Sequence, residues 1–195
     1  MVVLNYQNTL PLKKDIENIS VTSLWLKSFK KGMASFMDIW TSERWKLYYS
    51  VREHRSGLYV DYEKTVDPNV KRAISEFVKW LRSEYVFPKR VRVYVKAKEF
   101  IKARDGDMVY GTAFLPFNRD DEPYIRIATG DYPHLVRKNG VDNALAANLS
   151  TLAHELTHYF QWLNDVHLTP KGEERQATNH SNKILDLYAQ TREHP

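Results

Sequence analysis

Four segments of the chain carry apolar residues at helical spacing. Residues 21–49 show this pattern, which predicts one long helix or two shorter ones. Asp67-Pro68 is a typical helix start, with Asp as the N-cap and Pro in the first turn, and the helix is predicted to end before Pro88. Residues 142–163 and 172–190 are two further helical stretches. Helices are therefore predicted on both sides of a central region with a different pattern.

The central region alternates apolar and polar residues, as half-buried strands do. Residues 91–96 follow this period of two, and residues 108–117, with an irregularity around Gly111, and Tyr124–Ala128 are the next candidate strands. The order of helices and strands predicts an α+β fold, with a small and mainly antiparallel sheet ahead of the last two helices. We expect residues 1–66 to form an N-terminal helical extension that packs on a domain of residues 67–195.

The amino-acid composition excludes several kinds of functional site, whereas the net charge excludes none. The 195 residues are 43% hydrophobic, enough for a sizeable core, and include no cysteine, which excludes disulfides, thiolate metal sites and a cysteine nucleophile. Any metal must be held by His, Asp or Glu. The net charge of +5 is a weak indication of acidic partners. No signal-peptide pattern or long apolar run is present, so we expect a cytoplasmic protein that does not enter a membrane.

The sequence His154-Glu155-Leu156-Thr157-His158 lies inside the predicted helix of residues 142–163. Positions four apart lie on one face of a helix, so His154 and His158 can offer two imidazole nitrogens to one Zn²⁺ ion. Glu155 is one residue further round, where its carboxylate can reach a metal-bound water as a general base. This pattern predicts a zinc-dependent hydrolase.

A catalytic zinc site needs a third protein ligand and an open position. Glu174 is the leading candidate, since a face of small residues below it lets the last helix approach the motif helix. Glu173 is the alternative, although it points about 100° away on the same helix. Two histidines are further alternatives but have the character of surface residues, namely His167 and His180.

The segment Glu174-Arg175-Gln176-Ala177 resembles the Glu-x-x-Ala signature of the ImmA/IrrE-type peptidases, minimal gluzincin metallopeptidases of bacteria, phages and mobile elements. The resemblance covers about residues 149–185, and the chain departs from the family after Ala177. It implies a zincin-like fold, Zn²⁺ bound by His154, His158 and Glu174, and a protein or peptide substrate. It also implies that an extended peptide binds beside the last strand before the motif helix, Tyr124, Ile125, Arg126, Ile127 and Ala128.

A binding module with a catalytically idle zinc site is the alternative function. The N-terminal region combines basic residues with aromatic ones, including Trp25, Trp40 and Trp45, and could bind nucleic acid. We expect instead that these aromatic residues lie in the core and that the charges form a solvated surface.

Overall fold

The computed structural model describes residues 38–49 and 57–192. Most of the first predicted helical segment, including Trp25, lies outside these residues. Residues 38–49 form turns and a short 3₁₀ helix, Arg44–Leu47, so the helix predicted across them is wrong. Two of their backbone N–H groups bond to side chains rather than to carbonyls one turn earlier: Trp40 N–H donates to Asp38 and Trp45 N–H to Asn164. Those bonds replace the ladder of an α-helix.

Residues 57–192 form four α-helices and six strands, which confirms the α+β class. The helices are α1 (Pro68–Glu84), α2 (Tyr132–Asn139), α3 (Val141–Leu163) and α4 (Pro170–Ala189). The strands are β1 (Leu58–Tyr62), β2 (Val91–Lys96), β3 (Ile101–Lys102), β4 (Met108–Val109), β5 (Gly111–Phe114) and β6 (Tyr124–Ala128). The bounds of α1, β2, β6, α3 and α4 agree with the sequence patterns, and the Asp67 side chain caps α1 through Asn69 N–H at 2.8 Å. The sequence pattern predicts neither strands β1 and β3 nor helix α2.

The main sheet is mixed, so the prediction of a mainly antiparallel sheet is wrong. Its strand order is β1-β2-β6-β5; β2 runs parallel to both β1 and β6, and only β5 runs antiparallel to its neighbour. Helix α1 carries the chain back between β1 and β2, which makes those strands parallel. Strands β3 and β4 form a separate hairpin. A domain boundary after residue 66 would separate β1 from β2, and the described residues give it no support.

The helices cover one face of the sheet. Leu58, Val91, Val93, Ile125 and Ile127 point to this face and are fully buried against the helices. Trp40 and Trp45 join the same core with only 2% and 4% of their surface exposed, as expected for structural aromatics. Among the described helices, none has the length and apolar character needed to cross a membrane.

Candidate metal centre

Helix α3 presents both motif histidines on one face. His154 and His158 are each 8% exposed, and their Nε2 atoms lie 3.1 Å apart. Thr157, on another face, is fully buried and accepts a hydrogen bond of 2.9 Å from the indole N–H of Trp40. Residues 38–49 therefore pack against the helix that carries the motif, on a side away from the two imidazoles.

A tight reversal at the end of α3 brings the last helix back toward the motif. Asp165 N–H bonds to Trp162 O and Val166 N–H to Gln161 O, the pair of bonds that defines a Schellman motif. Asp165 takes the left-handed conformation there, with φ of 53°. Its carboxylate oxygen Oδ1 accepts a hydrogen bond of 2.6 Å from the Arg119 guanidinium group. Helix α4 then begins at the Thr169 cap, and Glu174 lies in its second turn, three residues before the buried Ala177.

The Glu174 carboxylate meets the two imidazoles. One oxygen lies 3.3 Å from His154 Nε2 and the other 3.2 Å from His158 Nε2. Both oxygens are buried and accept no hydrogen bond of good geometry from the described residues. Four ligand atoms held about 2.0–2.1 Å from a zinc ion in a tetrahedron are about 3.3–3.4 Å apart. The observed separations match that edge, so these side chains fit around one small cation.

The negative charge of the Glu174 carboxylate also favours binding of a cation by the cluster. Burial alone would raise the pKa of Glu174, but the neighbouring imidazoles outweigh burial and lower it to about 2. Burial likewise opposes a charged His158, yet its contacts with the Glu174 carboxylate raise the pKa of that imidazole. The ionised carboxylate thus needs positive charge in its vicinity, which a proton on an imidazole or a bound metal ion can supply.

Gln161 orients one of the imidazoles, a role that the sequence pattern did not indicate. Its side-chain oxygen lies 2.8 Å from His158 Nδ1, while its nitrogen donates to Glu173 O and to the Gln176 side chain on α4. With Nδ1–H donating to Gln161, the Nε2 lone pair of His158 points into the cluster, as metal coordination requires. The available signal was the i, i+3 spacing from His158 to Gln161 on the same helix.

Glu155 lies beside the cluster, between α3 and strand β5. It is 8% exposed, and the backbone N–H of Ala113 donates to its carboxylate. A Cβ built on Gly111 would come within 2.6 Å of Glu155 Oε1, so glycine leaves room for the carboxylate. Burial raises the pKa of Glu155, the Glu174 charge acts in the same direction, and the motif imidazoles oppose both. A raised pKa suits a group that exchanges protons near neutral pH.

The other candidate ligands lie elsewhere. Among described residues, the group whose ligand atoms lie within 4.8 Å of one another is His154, His158 and Glu174, without Glu173. His167 is 85% exposed and contacts Asp165, and His180 bonds to Asp38 and to Gln176 O.

The peptide-binding role expected of β6 does not fit the sheet. Strand β6 (Tyr124, Ile125, Arg126, Ile127 and Ala128) is hydrogen-bonded to β2 on one side and β5 on the other, so its backbone has no open edge. The prediction is therefore wrong for this strand. The open edge nearest Glu155 belongs to β5, which the sequence could not show because strand order depends on pairings between distant segments.

The structure thus brings together two imidazoles, one carboxylate and an adjacent buried glutamate, a set that could hold a divalent metal ion and is not specific for zinc. Comparisons with protein-family models, with curated proteins and with solved structures found no match to this chain.

Proposed function

We propose that this protein is a zinc-dependent metallopeptidase in which His154, His158 and Glu174 bind the metal and Glu155 is the general base. The observation that carries the proposal is the convergence of three ligand atoms at tetrahedral spacing beside a buried glutamate. Three protein ligands with a free fourth position are typical of catalytic zinc sites, whereas structural sites usually have four protein ligands. The packing of the motif helix against an antiparallel edge strand agrees with the zincin-like fold that the Glu-x-x-Ala resemblance implies.

Each side chain has a role that follows from its surroundings. A zinc ion bound here would polarise the scissile carbonyl and make a water molecule more acidic. Glu155 accepts the proton of the attacking water and later delivers it to the leaving amine, and its raised pKa favours both transfers. Ala113 N–H fixes the carboxylate in place, and Gln161 keeps His158 in the tautomer that binds metal.

Strand β5 offers the backbone groups that an extended peptide needs. Ala128 N–H bonds to Tyr110 O, so in this antiparallel pair the residues at 110, 112 and 114 bond to β6. Gly111 and Ala113 alternate with them and direct their backbone groups to the outer edge, which pairs with no strand in residues 57–192. The Ala113 N–H already donates to Glu155. The Ala113 carbonyl and the backbone N–H and carbonyl of Gly111 remain for pairing with an added peptide strand next to the metal cluster.

The decisive experiment compares the wild-type chain with Glu155→Gln on a proteome-derived peptide library, with zinc content measured on the same samples. We expect wild type to cut peptides, and Glu155→Gln to hold the same zinc with cleavage lowered by at least about a hundredfold. Thr151→Ser, one turn before Glu155 on α3, is the matched control and should keep both properties. Full cleavage by Glu155→Gln would disprove the assigned base.

The same experiment distinguishes the proposed peptidase from the alternative function, a binding module with a catalytically idle zinc site. If the wild-type chain holds one zinc ion and cuts nothing in the library, the site is catalytically idle and the protein is a binding module. If neither zinc nor another divalent ion binds, both metal functions fail.

A further inference from the structure

The face of the sheet opposite the helices carries a row of aromatic and basic side chains. In the strand register, Tyr59, Arg92, Tyr124 and Phe114 stand side by side across β1, β2, β6 and β5. Neighbouring strands are about 4.8 Å apart, so the row extends about 14 Å. These four side chains are half-buried, whereas Leu58, Val91, Val93 and Ile125, which alternate with them on the first three strands, are fully buried.

The aromatic rings form one cluster. Phe114 and Tyr124 stack with their ring centroids 4.8 Å apart and an angle of 18° between their planes, and Tyr94 meets Tyr124 edge to face at 6.1 Å. We call the outward side chains of the four strands, Tyr94 included, the open sheet face. Within residues 38–49 and 57–192, the β3–β4 hairpin covers one end of this face, where Ala128 packs against Ile101 and Val109.

Basic groups surround these rings. Three guanidinium groups converge on Tyr59, with the Cζ atoms of Arg82, Arg90 and Arg92 at 5.9, 4.9 and 6.0 Å from the ring centroid. Lys96 lies 5.8 Å from the Tyr94 ring.

The other end of the aromatic cluster is also basic. Arg104 lies 5.0 Å from the centroid of the Phe114 ring. The Nε–H of Arg126 is buried and has no hydrogen-bond partner among the described residues. Three of these cations pair with a carboxylate that is itself partly exposed: Arg92 with Asp61 at 2.8 Å, Lys96 with Glu63 at 3.1 Å and Arg90 with Glu122 at 3.9 Å.

We propose that the open sheet face binds single-stranded nucleic acid. Aromatic rings give unpaired bases a surface on which to stack, whatever the sequence, and the surrounding guanidinium and ammonium groups attract the phosphates. In a duplex the faces of the bases are already stacked on the neighbouring base pairs, so a single strand suits this surface better. An acidic peptide would use the cations but would leave the rings without a function. The proposal does not depend on the metal site, which lies on the other side of the sheet.

The test measures fluorescence anisotropy of a labelled oligo-dT of about fifteen nucleotides, a length that covers such a surface, as the full chain is added. We expect binding that weakens as salt increases, and at least about tenfold weaker binding to a duplex of similar length. The variant Tyr94→Leu/Tyr124→Leu should weaken oligo-dT binding by about tenfold or more. Removing any metal with a chelator should change nothing.

Charge variants complete the test. Arg90→Gln/Arg104→Gln should reduce both the affinity for oligo-dT and its salt dependence. Arg137→Gln/Lys138→Gln makes the same change of charge on α2, on the helical side, and should keep both. Circular dichroism and thermal melting identify any variant that has not folded.

Three results would overturn the proposal. They are no binding by wild type at low salt, equal binding by the tyrosine variant when it is folded, and displacement of the oligonucleotide by polyglutamate as effectively as by unlabelled oligo-dT. The last result would assign the surface to acidic peptides instead.

Discussion

Replacing Gly111 with alanine tests how closely strand β5 approaches the proposed general base. Gly111 does not have a positive φ, so its backbone conformation is open to alanine and only packing opposes the change. The new Cβ would lie 2.6 Å from Glu155 Oε1, 2.9 Å from Glu155 Cγ and 2.9 Å from Thr151 Cγ2. Carbon atoms in ordinary contact are about 3.5–4.0 Å apart, so both carbon contacts are too short by about 0.6–1.1 Å, and the strand or these side chains must shift by that distance.

Whether Gly111→Ala destabilises or stabilises the protein shows whether strand β5 is in close contact with Glu155 or leaves free space beside it. Overpacking of this size costs about 1–3 kcal/mol, whereas a Gly→Ala change with free space usually stabilises a protein by about 0.4–1 kcal/mol. We therefore expect Gly111→Ala to lower the free energy of unfolding, measured by urea denaturation of the metal-stripped chain. Thr112→Ala, whose side chain points to the other face, should stay within about 0.5 kcal/mol of wild type.

A double-mutant cycle identifies the residue responsible. Glu155→Ala removes two of the three close atoms, so in that background Gly111→Ala should cost at least about 1 kcal/mol less than in wild type. Stabilisation by Gly111→Ala, or an equal cost with and without the Glu155 side chain, would refute the close approach. If the protein is the proposed peptidase, displacing the base by nearly 1 Å should also slow cleavage by about a hundredfold.

Three further changes test other parts of the structure. Trp40→Phe removes the buried indole N–H that donates to Thr157 Oγ1, so the free energy of unfolding should fall by about 1–2 kcal/mol in urea denaturation. Burial raises the pKa of Asp38, but bonds from His180, Lys183 and a backbone N–H outweigh burial and hold that pKa well below its ordinary value. Asp38→Asn should therefore destabilise the protein at neutral pH. The ionised Asp38 carboxylate stabilises the folded state above about pH 4, and this contribution is lost as pH falls through the folded-state pKa. The difference in stability between Asp38→Asn and wild type should therefore shrink below pH 4. Gln161→Leu should weaken zinc binding about 10–100-fold in competition with a chelator.

Each of these changes has a control of the same chemistry. Trp80→Phe alters a half-buried ring outside the motif helix and should cost less than Trp40→Phe. Asp186→Asn changes an exposed acid on α4 and should cost less stability at neutral pH than Asp38→Asn. Gln190→Leu, at the exposed end of α4, should leave zinc affinity unchanged. If a control matches its paired variant, the contact invoked for that pair is not the cause.

Much of the secondary structure could be predicted because its signals are local. The Asp67-Pro68 pair marks a helix start by its own chemistry, and the alternation in residues 91–96 follows from one buried sheet face. The i, i+4 spacing of His154 and His158 likewise fixes their shared helix face before any packing is known. Small buried residues on α4, Ala177 and Ser181, allow the helix contact that the sequence pattern indicated.

The errors concern features that depend on pairing between distant segments. Strand order cannot be read from one strand, so the sequence does not show that β2 and β5 enclose β6 and leave it no open edge. Apolar spacing in residues 38–49 resembled a helix, but the Asn164 side chain and other external partners hold that backbone in turns. Gln161 was not assigned a role because only the position of α4 shows what its amide contacts.

The central claim is that His154, His158 and Glu174 form one metal site, and calorimetric titration of zinc into the metal-stripped chain tests it most directly. We expect one zinc ion per chain in wild type, and a loss of affinity of at least about a hundredfold in Glu174→Gln, which removes the carboxylate that completes the cluster. Glu173→Gln, the neighbouring position with the same chemistry, should bind zinc like wild type. The claim would be contradicted if wild type takes up no zinc, or if Glu173→Gln loses zinc as completely as Glu174→Gln does.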